Sequence, residues 1–374
     1  MSVSELAVGD QVFALDPVSG VIKRKPITAI RKISWEGPLV ELASRRVDFR
    51  VAGGQRIPYV PKGTSRVEFQ RAANLREQRY YKFVNAWSQV PKPDLNAVDI
   101  TDFADEYEMC VSSSLHGHTF NAALPEGCTA ARKNADVGSV FDSQTFEQYQ
   151  EEIEELADEV YIHSGPNSRR RPYRFDGDDF IQFLGWFVTE GSVVWRNTRR
   201  TAVVKIAQQK GTHRASIREL LERMGLLSGV DHRAFTFGSA VFGSVFESLC
   251  GAGSQHKRLP SLVWSCSERQ QRLLRDVLLA GDGDKQDTYY TSSDQLAGDV
   301  LCLNLLLGIK PRYTIDSEIW QLYGNTPNDG LDSKQHVRAI EAETTLYRLT
   351  VADYHVVMAG RTGKFQWIGV SGIS

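Results

Sequence analysis

The sequence predicts an α+β fold in which a duplicated domain of helices and strands interrupts an all-β domain. Both ends of the 374-residue chain carry short apolar or β-branched runs separated by turn residues, a pattern typical of strands. The middle of the chain contains two copies of an apolar helix that ends in an acidic residue and a glycine. A length of 374 residues also favours two domains, or one domain inserted in another.

The β-rich ends define the predicted outer domain. The N-terminal runs cover residues 12–15, 27–30, 39–42 and 47–51, and the C-terminal runs cover residues 346–351, 356–359 and 365–368. Neither end carries enough strands to close a core alone, so we expect residues 1–88 and 336–374 to fold together. Loop residues dominate 89–175 apart from an acidic helix at 146–160, and we interpret this stretch as a linker or accessory region.

The two copies lie within residues 176–335 and share the order helix, acid, glycine, strands, helix, glycine. In the first copy, the helix 180–189 leads into Glu190 and the closing helix stops at Gly225. In the second copy, the helix 268–279 leads into Asp282 and the closing helix 294–307 stops at Gly308. The strand-like runs that follow the two acids cover residues 192–195, 202–209 and 288–291.

The segments around the two acids read FLGWFVTEG and DVLLAGDG. Both resemble the LAGLIDADG motif of homing endonucleases. The resemblance implies a duplicated αββα domain whose two motif helices pack side by side on a pseudo-two-fold axis. It also implies that Glu190 and Asp282 meet at the centre of a DNA-binding saddle as catalytic metal ligands. Val277 stands where the family prefers a small residue, which predicts a looser contact between the helices.

The position of the two acids agrees with this chemistry. A carboxylate at a helix C-terminus meets the negative end of the helix dipole, so a pair of them needs cations nearby. Mg²⁺ or Mn²⁺ supplies that charge, and a metal held between two acids activates water for phosphodiester hydrolysis. The alternative is that both acid–glycine pairs are ordinary helix ends. Two copies in matching contexts favour the functional interpretation.

A lysine precedes the second copy in the run HKRLP, which resembles the K-x-[IL]-P block of the same family. The resemblance implies that Lys257 assists the reaction electrostatically. The alternative is a solvated basic loop in front of a helix. Lys205 and Lys285 are weaker candidates for the same task.

The strands after each acid carry residues suited to DNA. Arginine reads guanine and glutamine reads adenine in the major groove, while other cations hold phosphates. The candidate DNA-binding residues are Arg196, Arg199, Arg200, Lys205, Gln208, Gln209, Lys285 and Tyr289. For each of them the alternative is a solvated strand edge. The net charge of −2 argues weakly against a nucleic-acid binder, but a basic face can form on a nearly neutral chain.

The outer domain contains the run AVGDQVFAL near its start and residues 347–355 and 360–371 near its end. The first run resembles the GD-x-V strand of the Hint fold of inteins, and the other two resemble the C-terminal blocks of that fold. The splicing residues are replaced. No nucleophile opens the first strand, the T-x-x-H pair falls on Ala52 and Gln55, and the terminal Asn falls on Val370. His355 and Ser371 remain but complete no mechanism, so we expect a scaffold without splicing chemistry.

The five cysteines have no C-x-x-C spacing, which is typical of reduced thiols, and no apolar run resembles a signal peptide or membrane span. We therefore expect a cytoplasmic protein. A zinc site formed by Cys110, His116, His118 and Cys128 stays open as a weaker alternative to plain loop residues.

Together these features predict a monomeric, Mg²⁺- or Mn²⁺-dependent hydrolase, a homing endonuclease from a mobile genetic element. Its substrate is expected to be double-stranded DNA with a long pseudo-palindromic site. Two alternatives stay open at this point. One is a LAGLIDADG-derived DNA-binding protein that no longer cuts, and the other is a self-splicing intein, which the missing splicing residues disfavour.

Overall fold

The computed structural model describes residues 2–134, 138–163, 171–196, 201–324 and 330–370. The chain forms two compact units. Unit 1 comprises Met1–Lys92, Gly283–Ser292 and Ala297–Ser374, and unit 2 comprises Pro93–Asp282 and Ser293–Leu296. Helices and strands are mixed along the chain, as the sequence predicts.

The strands are short apart from two long ones near the ends of the chain. In chain order they are β1 (Gln11–Leu15), β2 (Val21–Ala43), β3 (Asp48–Ala52), β4 (Arg56–Tyr59), β5 (Glu68–Arg71), β6 (Tyr80–Lys82), β7 (Ser88–Gln89), β8 (Ala97–Asp99), β9 (Glu108–Ser112), β10 (Arg132–Asn134), β11 (Gly138–Asp142), β12 (Glu159–His163), β13 (Arg174–Asp176), β14 (Gly191–Arg196), β15 (Thr201–Ala207), β16 (Gly229–Val230), β17 (Ala234–Gly238), β18 (Thr288–Thr291), β19 (Tyr313–Asp316), β20 (Ile319–Tyr323), β21 (Gly330–Asp332), β22 (Val337–Val351), β23 (Val356–Arg361) and β24 (Lys364–Gly369).

The longer helices belong to the two motif copies. In chain order the helices are α1 (Gly117–Ala123), α2 (Ser143–Gln148), α3 (Gln150–Leu156), α4 (Gly177–Glu190), α5 (Gly211–Arg223), α6 (Ala240–Cys250), α7 (Glu268–Asp282), α8 (Asp294–Leu306) and α9 (Ser333–His336).

Unit 1 is organised around β2, which has 23 residues. It pairs with β1 near its start, with β3 near its end and with β22 from Ile27 to Leu42, and the strand order is β22-β2-β1-β23-β24. The predicted strands 27–30 and 39–42 are both parts of β2. Gly37 and Pro38 between them suggest a turn by type, but antiparallel pairing with Ala342 and Glu341 keeps the chain extended.

Among the described residues of unit 1, two apolar clusters each join residues from opposite ends of the chain. One cluster contains Ala14 and Ile27 together with Val351 and Val357. In the other, Val337 and Leu331 pack with residues of the N-terminal strands, namely Leu42, Val47, Phe49, Ile57, Tyr59, Ala72, Leu75, Tyr81 and Phe83. Strands near the two ends of the sequence therefore share a sheet and both cores.

In unit 2, the region interpreted as a linker or accessory segment is folded. It contains the four-stranded sheet β10-β11-β9-β12 and the helices α1 to α3. The predicted acidic helix at 146–160 is instead two short helices followed by β12. The chain turns at Tyr149, and the β-favouring residues Val160, Tyr161 and Ile162 pair with β9.

The first motif copy also lies in unit 2. The Asp176 carboxylate accepts hydrogen bonds from the backbone of Asp178 and Asp179, which caps the start of α4. The helix then packs on the sheet β14-β15-β17-β16 through a buried aromatic core. This core consists of Phe180, Phe183, Phe187, Phe237, Phe242 and Phe246. Strand β14 starts directly after α4, so the acid Glu190 lies at the junction of helix and sheet.

We call the strands that follow the acid of each copy its strand arm. The strand arm of the second copy is shorter than that of the first. Strands β14 and β15 pair over six residue pairs in the first copy. In the second copy, the chain between α7 and α8 forms only β18, with one isolated bridge from Gly283 to Tyr289. Strand β18 belongs to unit 1, where it joins the sheet β18-β20-β19.

Candidate active site

Helices α4 and α7 approach closely at two glycines. A Cβ atom on Gly185 would lie 2.7 Å from the Val277 side chain, and one on Gly281 would lie 2.4 Å from the Thr189 hydroxyl. Each larger side chain therefore fits against a residue without a Cβ. The looser contact expected from Val277 is not what the structure has, because Gly185 on the opposite helix provides the space.

The two contacts join equivalent positions of the two copies. Val277 follows Gly185 by 92 positions (277 − 185), and Gly281 follows Thr189 by 92 positions (281 − 189). Equivalent positions meet in this way when two helices are related by a local two-fold axis. Asp282 follows Glu190 by the same 92 positions (282 − 190), directly after the Thr189–Gly281 contact. The contact next to them holds the two acids at the same end of the helix pair.

Glu190 is held by a buried glutamine. The Gln208 amide nitrogen donates to Glu190 Oε1 at 3.0 Å, and its amide oxygen accepts from the backbone nitrogens of Gln209 and Lys210, both at 2.9 Å. The register explains this contact, because Gly191 pairs with Ile206 and Gln208 follows just after the end of β15. Gln208 was predicted to contact DNA, but only 5% of it is exposed and both ends of its amide are bonded within the protein.

The two carboxyl groups are electrostatically coupled. Burial, followed by the nearby Glu190 carboxylate, raises the pKa of Asp282 to about 6, while Lys210 and Lys257 act in the opposite direction. Burial also raises the pKa of Glu190, against the effects of Lys210 and Gln208. Removal from water thus disfavours the charged form of both carboxyl groups.

The Lys257 side chain lies at the C-terminal end of α4. Its ammonium group donates to the carbonyls of Phe187 at 2.8 Å and Gly191 at 2.9 Å, and it lies 4.2 Å from the centroid of the Phe187 ring. Burial lowers the pKa of Lys257 to about 8, although the Asp282 carboxylate favours its charged form. The lysine therefore neutralises the negative end of the α4 dipole and influences Asp282 through space.

The donor set of this site fits a hard divalent cation. Two carboxylates of raised pKa concentrate negative charge at one end of a helix pair. Within the described residues, no group of three or more His, Cys, Asp or Glu side chains is arranged to hold a metal. Mg²⁺ commonly takes one or two carboxylates and completes its shell with water and substrate phosphate oxygens. Glu190 and Asp282 match that requirement.

The remaining predicted DNA-binding residues fall into three groups. Arg196 and Lys205 lie on the same outward face of the sheet β14-β15-β17-β16, opposite to the buried face formed by Val204 and Ile206, and Gln209 is exposed just beyond it. Lys285 is exposed, whereas Tyr289 is only 2% exposed and packs inside unit 1. Arg199 and Arg200 lie outside the described residues.

Lys210, which directly follows the predicted DNA-binding residues Gln208 and Gln209, is a site residue that was not among the candidates. It favours the ionised form of both Glu190 and Asp282. The buried role of Gln208 was missed as well. The antiparallel register was the signal that could have located this contact. Strand β14 starts beside Glu190, so the end of its hairpin partner β15 returns to the same place.

The possible zinc ligands are not brought together. Cys110 and Cys128 are buried, whereas His116 and His118 are exposed on the surface. The search of the described residues finds no metal-binding group there, and the cysteines are free thiols. We therefore discard the zinc hypothesis.

At the predicted remnant of the splicing site, Gln55 donates a hydrogen bond to the carbonyl of Gly369. The Val370 nitrogen donates to the carbonyl of His355 at 2.7 Å. These contacts connect the end of the last described strand to other parts of unit 1. Ser371 lies outside the described residues.

The chain is similar to parts of two DNA polymerases. It is 30% identical over 169 residues to a DNA polymerase of Thermococcus hydrothermalis, a match covering 42% of this chain and 10% of the polymerase. It is 26% identical over 156 residues to a DNA polymerase of Thermococcus litoralis, covering 40% of this chain and 9% of the polymerase. The chain thus spans about a tenth of the length of these relatives. No protein-family model matches it.

Two solved structures of the homing endonuclease I-DmoI are also similar. A mesophilic variant is 15% identical with a TM-score of 0.31, covering 40% of this chain and 88% of that one. The complex of I-DmoI with DNA and Mn is 14% identical with a TM-score of 0.31, covering 40% and 89%. No helix in the described part of the chain has the length and apolarity needed to cross a bilayer.

Proposed function

We propose that the chain is a metal-dependent homing endonuclease of the LAGLIDADG kind that cuts both strands of DNA. The observation that carries this proposal is the pairing of α4 with α7 through equivalent positions of a duplicated motif. The same offset relates Glu190 to Asp282, and the two carboxyl groups are electrostatically coupled. Two acids related in this way suit the two scissile strands of a duplex, which are themselves related by local two-fold symmetry.

Each residue of the site has a defined task in this proposal. Glu190 and Asp282 would hold one or more divalent cations, and Gln208 keeps the Glu190 carboxylate oriented. A bound divalent cation would polarise a phosphate oxygen and lower the pKa of a bound water. Asp282 has a pKa of about 6, so it is ionised and able to bind a cation at slightly alkaline pH. Lys257 keeps α4 capped and adds positive potential for the negative charge that develops on phosphate.

The DNA contacts are proposed to come first from the outward face of the first-copy sheet. Arg196 and Lys205 share that face, and Arg199 and Arg200 belong to the connection between its first two strands. Exposed Lys285 would add a phosphate contact in the second copy. A monomer with two related halves would recognise a long, pseudo-palindromic site.

The outer domain is proposed to be an intein-like Hint scaffold without splicing chemistry, made of residues 1–88 and 336–374 around an endonuclease domain at 176–335. The matches to a tenth of two DNA polymerases are what an element carried inside a larger host protein would give. The described contacts of Gln55 and Val370 suit a structural role.

The test is a cleavage assay with two kinds of plasmid. One is a library that carries random inserts, and the other carries the locus that flanks the gene in its uninterrupted form. With Mg²⁺, the purified chain should linearise a small subset of plasmids at one recurrent sequence. Glu190→Gln and Asp282→Asn should each lower the cleavage rate by roughly 10²-fold or more, because each removes one half of the cation site.

Exposed acids supply matched controls for both substitutions. The control variants are Asp276→Asn, at a position on α7, and Glu219→Gln, at a position on α5 of the first copy. Both should cleave like the unmodified chain. Binding of a recurrent sequence without cleavage under any divalent cation would replace the endonuclease by the non-cleaving DNA-binding protein.

A further inference from the structure

The two motif copies align residue by residue with two fixed offsets. Up to the residue after each acid the offset is 92 positions, as for Gly191 and Gly283 (283 − 191). After the connection that follows, the offset is 83 positions, because α5 (Gly211–Arg223) and α8 (Asp294–Leu306) differ by 83 at both ends (294 − 211 and 306 − 223). The connection in the second copy is therefore shorter by nine residues (92 − 83), and the helices after it correspond along their whole length.

Strand pairing shows where the second offset begins. Gly191 pairs with Ile206 in the first copy, and Gly283 forms a bridge with Tyr289 in the second. Tyr289 follows Ile206 by 83 positions (289 − 206), and both side chains are buried. The offset of 83 positions therefore already holds at the residue that pairs back to the start of each strand arm, and it applies from there through the following helix.

This alignment identifies what the second copy has in place of Gln208 and Lys210. Thr291 stands at the position of Gln208 (291 − 208), and Ser293 stands at the position of Lys210 (293 − 210). The Ser293 side chain is fully buried, and its hydroxyl donates to the Lys257 carbonyl at 2.6 Å. The second copy consequently has no amide and no cation at the two positions that support the first acid.

The hydrogen bonds that support the site lie at its Glu190 end. Gln208 donates to the Glu190 carboxylate, and Lys257 donates to the two backbone carbonyls on either side of it. None of the described residues donates a hydrogen bond to the Asp282 carboxylate, on which the nearby lysines act only through space. A hydrogen bond to a carboxylate is among the stronger ones, so Glu190 is held in one orientation whereas Asp282 lacks this support.

We propose that the two DNA strands are cut at unequal rates, so that a duplex nicked always in the same strand precedes the double-strand break, a step that rests on the proposed endonuclease function. In each strand a water oxygen forms a bond to phosphorus and loses a proton, while one phosphorus–oxygen ester bond breaks and the departing oxygen gains a proton. The two strands are related by local two-fold symmetry, so equal surroundings of the two acids would give equal rates. The unequal surroundings favour the strand that is attacked beside Glu190.

The test follows both strands of one duplex under single-turnover conditions with Mg²⁺. The duplex contains the recurrent sequence recovered from the plasmid library, and each strand carries a different dye at its 5′ end. On denaturing gels, one strand should be cut faster by roughly 10-fold, the lower end of the effect of one hydrogen bond to a charged group. With a supercoiled plasmid, nicked circles should accumulate before linear molecules, and the nick should lie in that same strand.

The variant Gln208→Thr gives the first copy the residue that the second copy has. It should slow the faster strand and leave the slower one nearly unchanged, so that the ratio of the two rates falls. Gln144→Thr, the same substitution at an exposed position of α2 outside both copies, should keep the ratio. In Ca²⁺ buffer, anisotropy should show that all three proteins bind the duplex with the same affinity, because Gln208 is buried and acts on Glu190 rather than on DNA.

The outcomes distinguish this inference from the proposed function. Cleavage of both strands at equal rates by the unmodified chain would overturn the inference and leave the endonuclease in place. Nicks divided evenly between the two strands would overturn it as well, and so would equal slowing of both strands in Gln208→Thr. Absence of any cleavage under every divalent cation would overturn both the inference and the proposed function.

Discussion

The two motif copies use the same helix–acid junction but support it differently. In the first copy, Glu190 is held by buried Gln208, and the following hairpin strands pair over six residue pairs. In the second copy, no described residue donates a hydrogen bond to the Asp282 carboxylate, and the following strand β18 has four residues. The duplication therefore preserved the helix contact and the acid, while the positioning residue and the strand arm differ between copies.

This difference separates two kinds of constraint. The contact between α4 and α7 tolerates little change, because each helix presents a glycine to a larger residue of the other. The strands beyond the acids carry no such mutual constraint. The predicted effects of mutation consequently decrease from the helix contact outwards.

The largest effect is expected from filling the helix contact. Gly185→Val puts a Cβ 2.7 Å from Val277, so it should lower the free energy of unfolding by about 2–3 kcal/mol or more through overpacking. The double variant Gly185→Val/Val277→Gly exchanges the two equivalent positions and should recover most of that loss. Urea denaturation of the single and double variants measures both values. A double variant as unstable as the sum of its two single variants would contradict the two-fold relation.

The next effect concerns the charge of Asp282 in protein freed of metal by EDTA. Its pKa is about 6 in the folded chain and 3.8 in the unfolded chain, so the folded state holds its proton more tightly. Stability is consequently unaffected below about pH 3.8, falls as pH rises towards 6, and carries the full penalty above that. Asp282→Asn should stabilise the metal-free protein at pH 7.5 by about 1–3 kcal/mol, and by much less at pH 4.

Denaturation at both pH values tests this expectation, with Asp276→Asn on the same helix as the matched control. Added Mn²⁺ should stabilise the unmodified chain and the control more than Asp282→Asn. An equal gain for Asp282→Asn at pH 4 and pH 7.5 would show that its carboxyl group carries no buried charge penalty.

A smaller effect is expected from the positioning residue of the first copy. Gln208→Leu keeps the size of the side chain but removes the hydrogen bond to Glu190 and the acceptor for two backbone nitrogens. Mn²⁺ affinity should fall by roughly 10-fold, the lower end of the cost of one lost hydrogen bond to a charged group. Gln209→Leu, its exposed neighbour, is the control. Titration calorimetry with Mn²⁺ compares the two variants, and equal affinities would argue against a positioning role.

The smallest effects should come from the strand arms, and they should differ between copies. Lys205→Ala in the first copy should weaken duplex binding by about 2- to 5-fold, because it removes one phosphate contact from a broad sheet face. Lys285→Ala next to the short β18 should weaken it less. Anisotropy titrations of both variants at the same salt concentration compare the copies. A larger loss for Lys285→Ala would reverse the proposed division of labour.

Much of the helical part of this fold was predictable from the sequence. Helical periodicity and the glycines that follow the acids located α4, α7 and α8 to within a few residues. Strand β18 was predicted with the bounds that the structure has. These features are local, so the sequence carries them directly.

Features that depend on distant partners were not predictable. β2 is continuous because β22, some 300 positions away in sequence, pairs through its polar middle. The residues 159–163 form a strand because β9 offers a partner, although their acidic context favoured a helix. Side-chain faces were missed for the same reason. Whether Gln208 and Tyr289 point outwards depends on register, and in both cases the register turns them into the protein.

The central claim is that one acid from each copy contributes to a shared cation site. Anomalous diffraction from crystals soaked in Mn²⁺ tests it most directly, because manganese positions are seen without assumptions about activity. We expect anomalous density within coordination distance, about 2.2 Å, of carboxylate oxygens from both Glu190 and Asp282. In crystals of Asp276→Asn the density should persist, and in crystals of Asp282→Asn it should weaken or vanish. Manganese bound elsewhere, with no density beside either acid, would contradict the account.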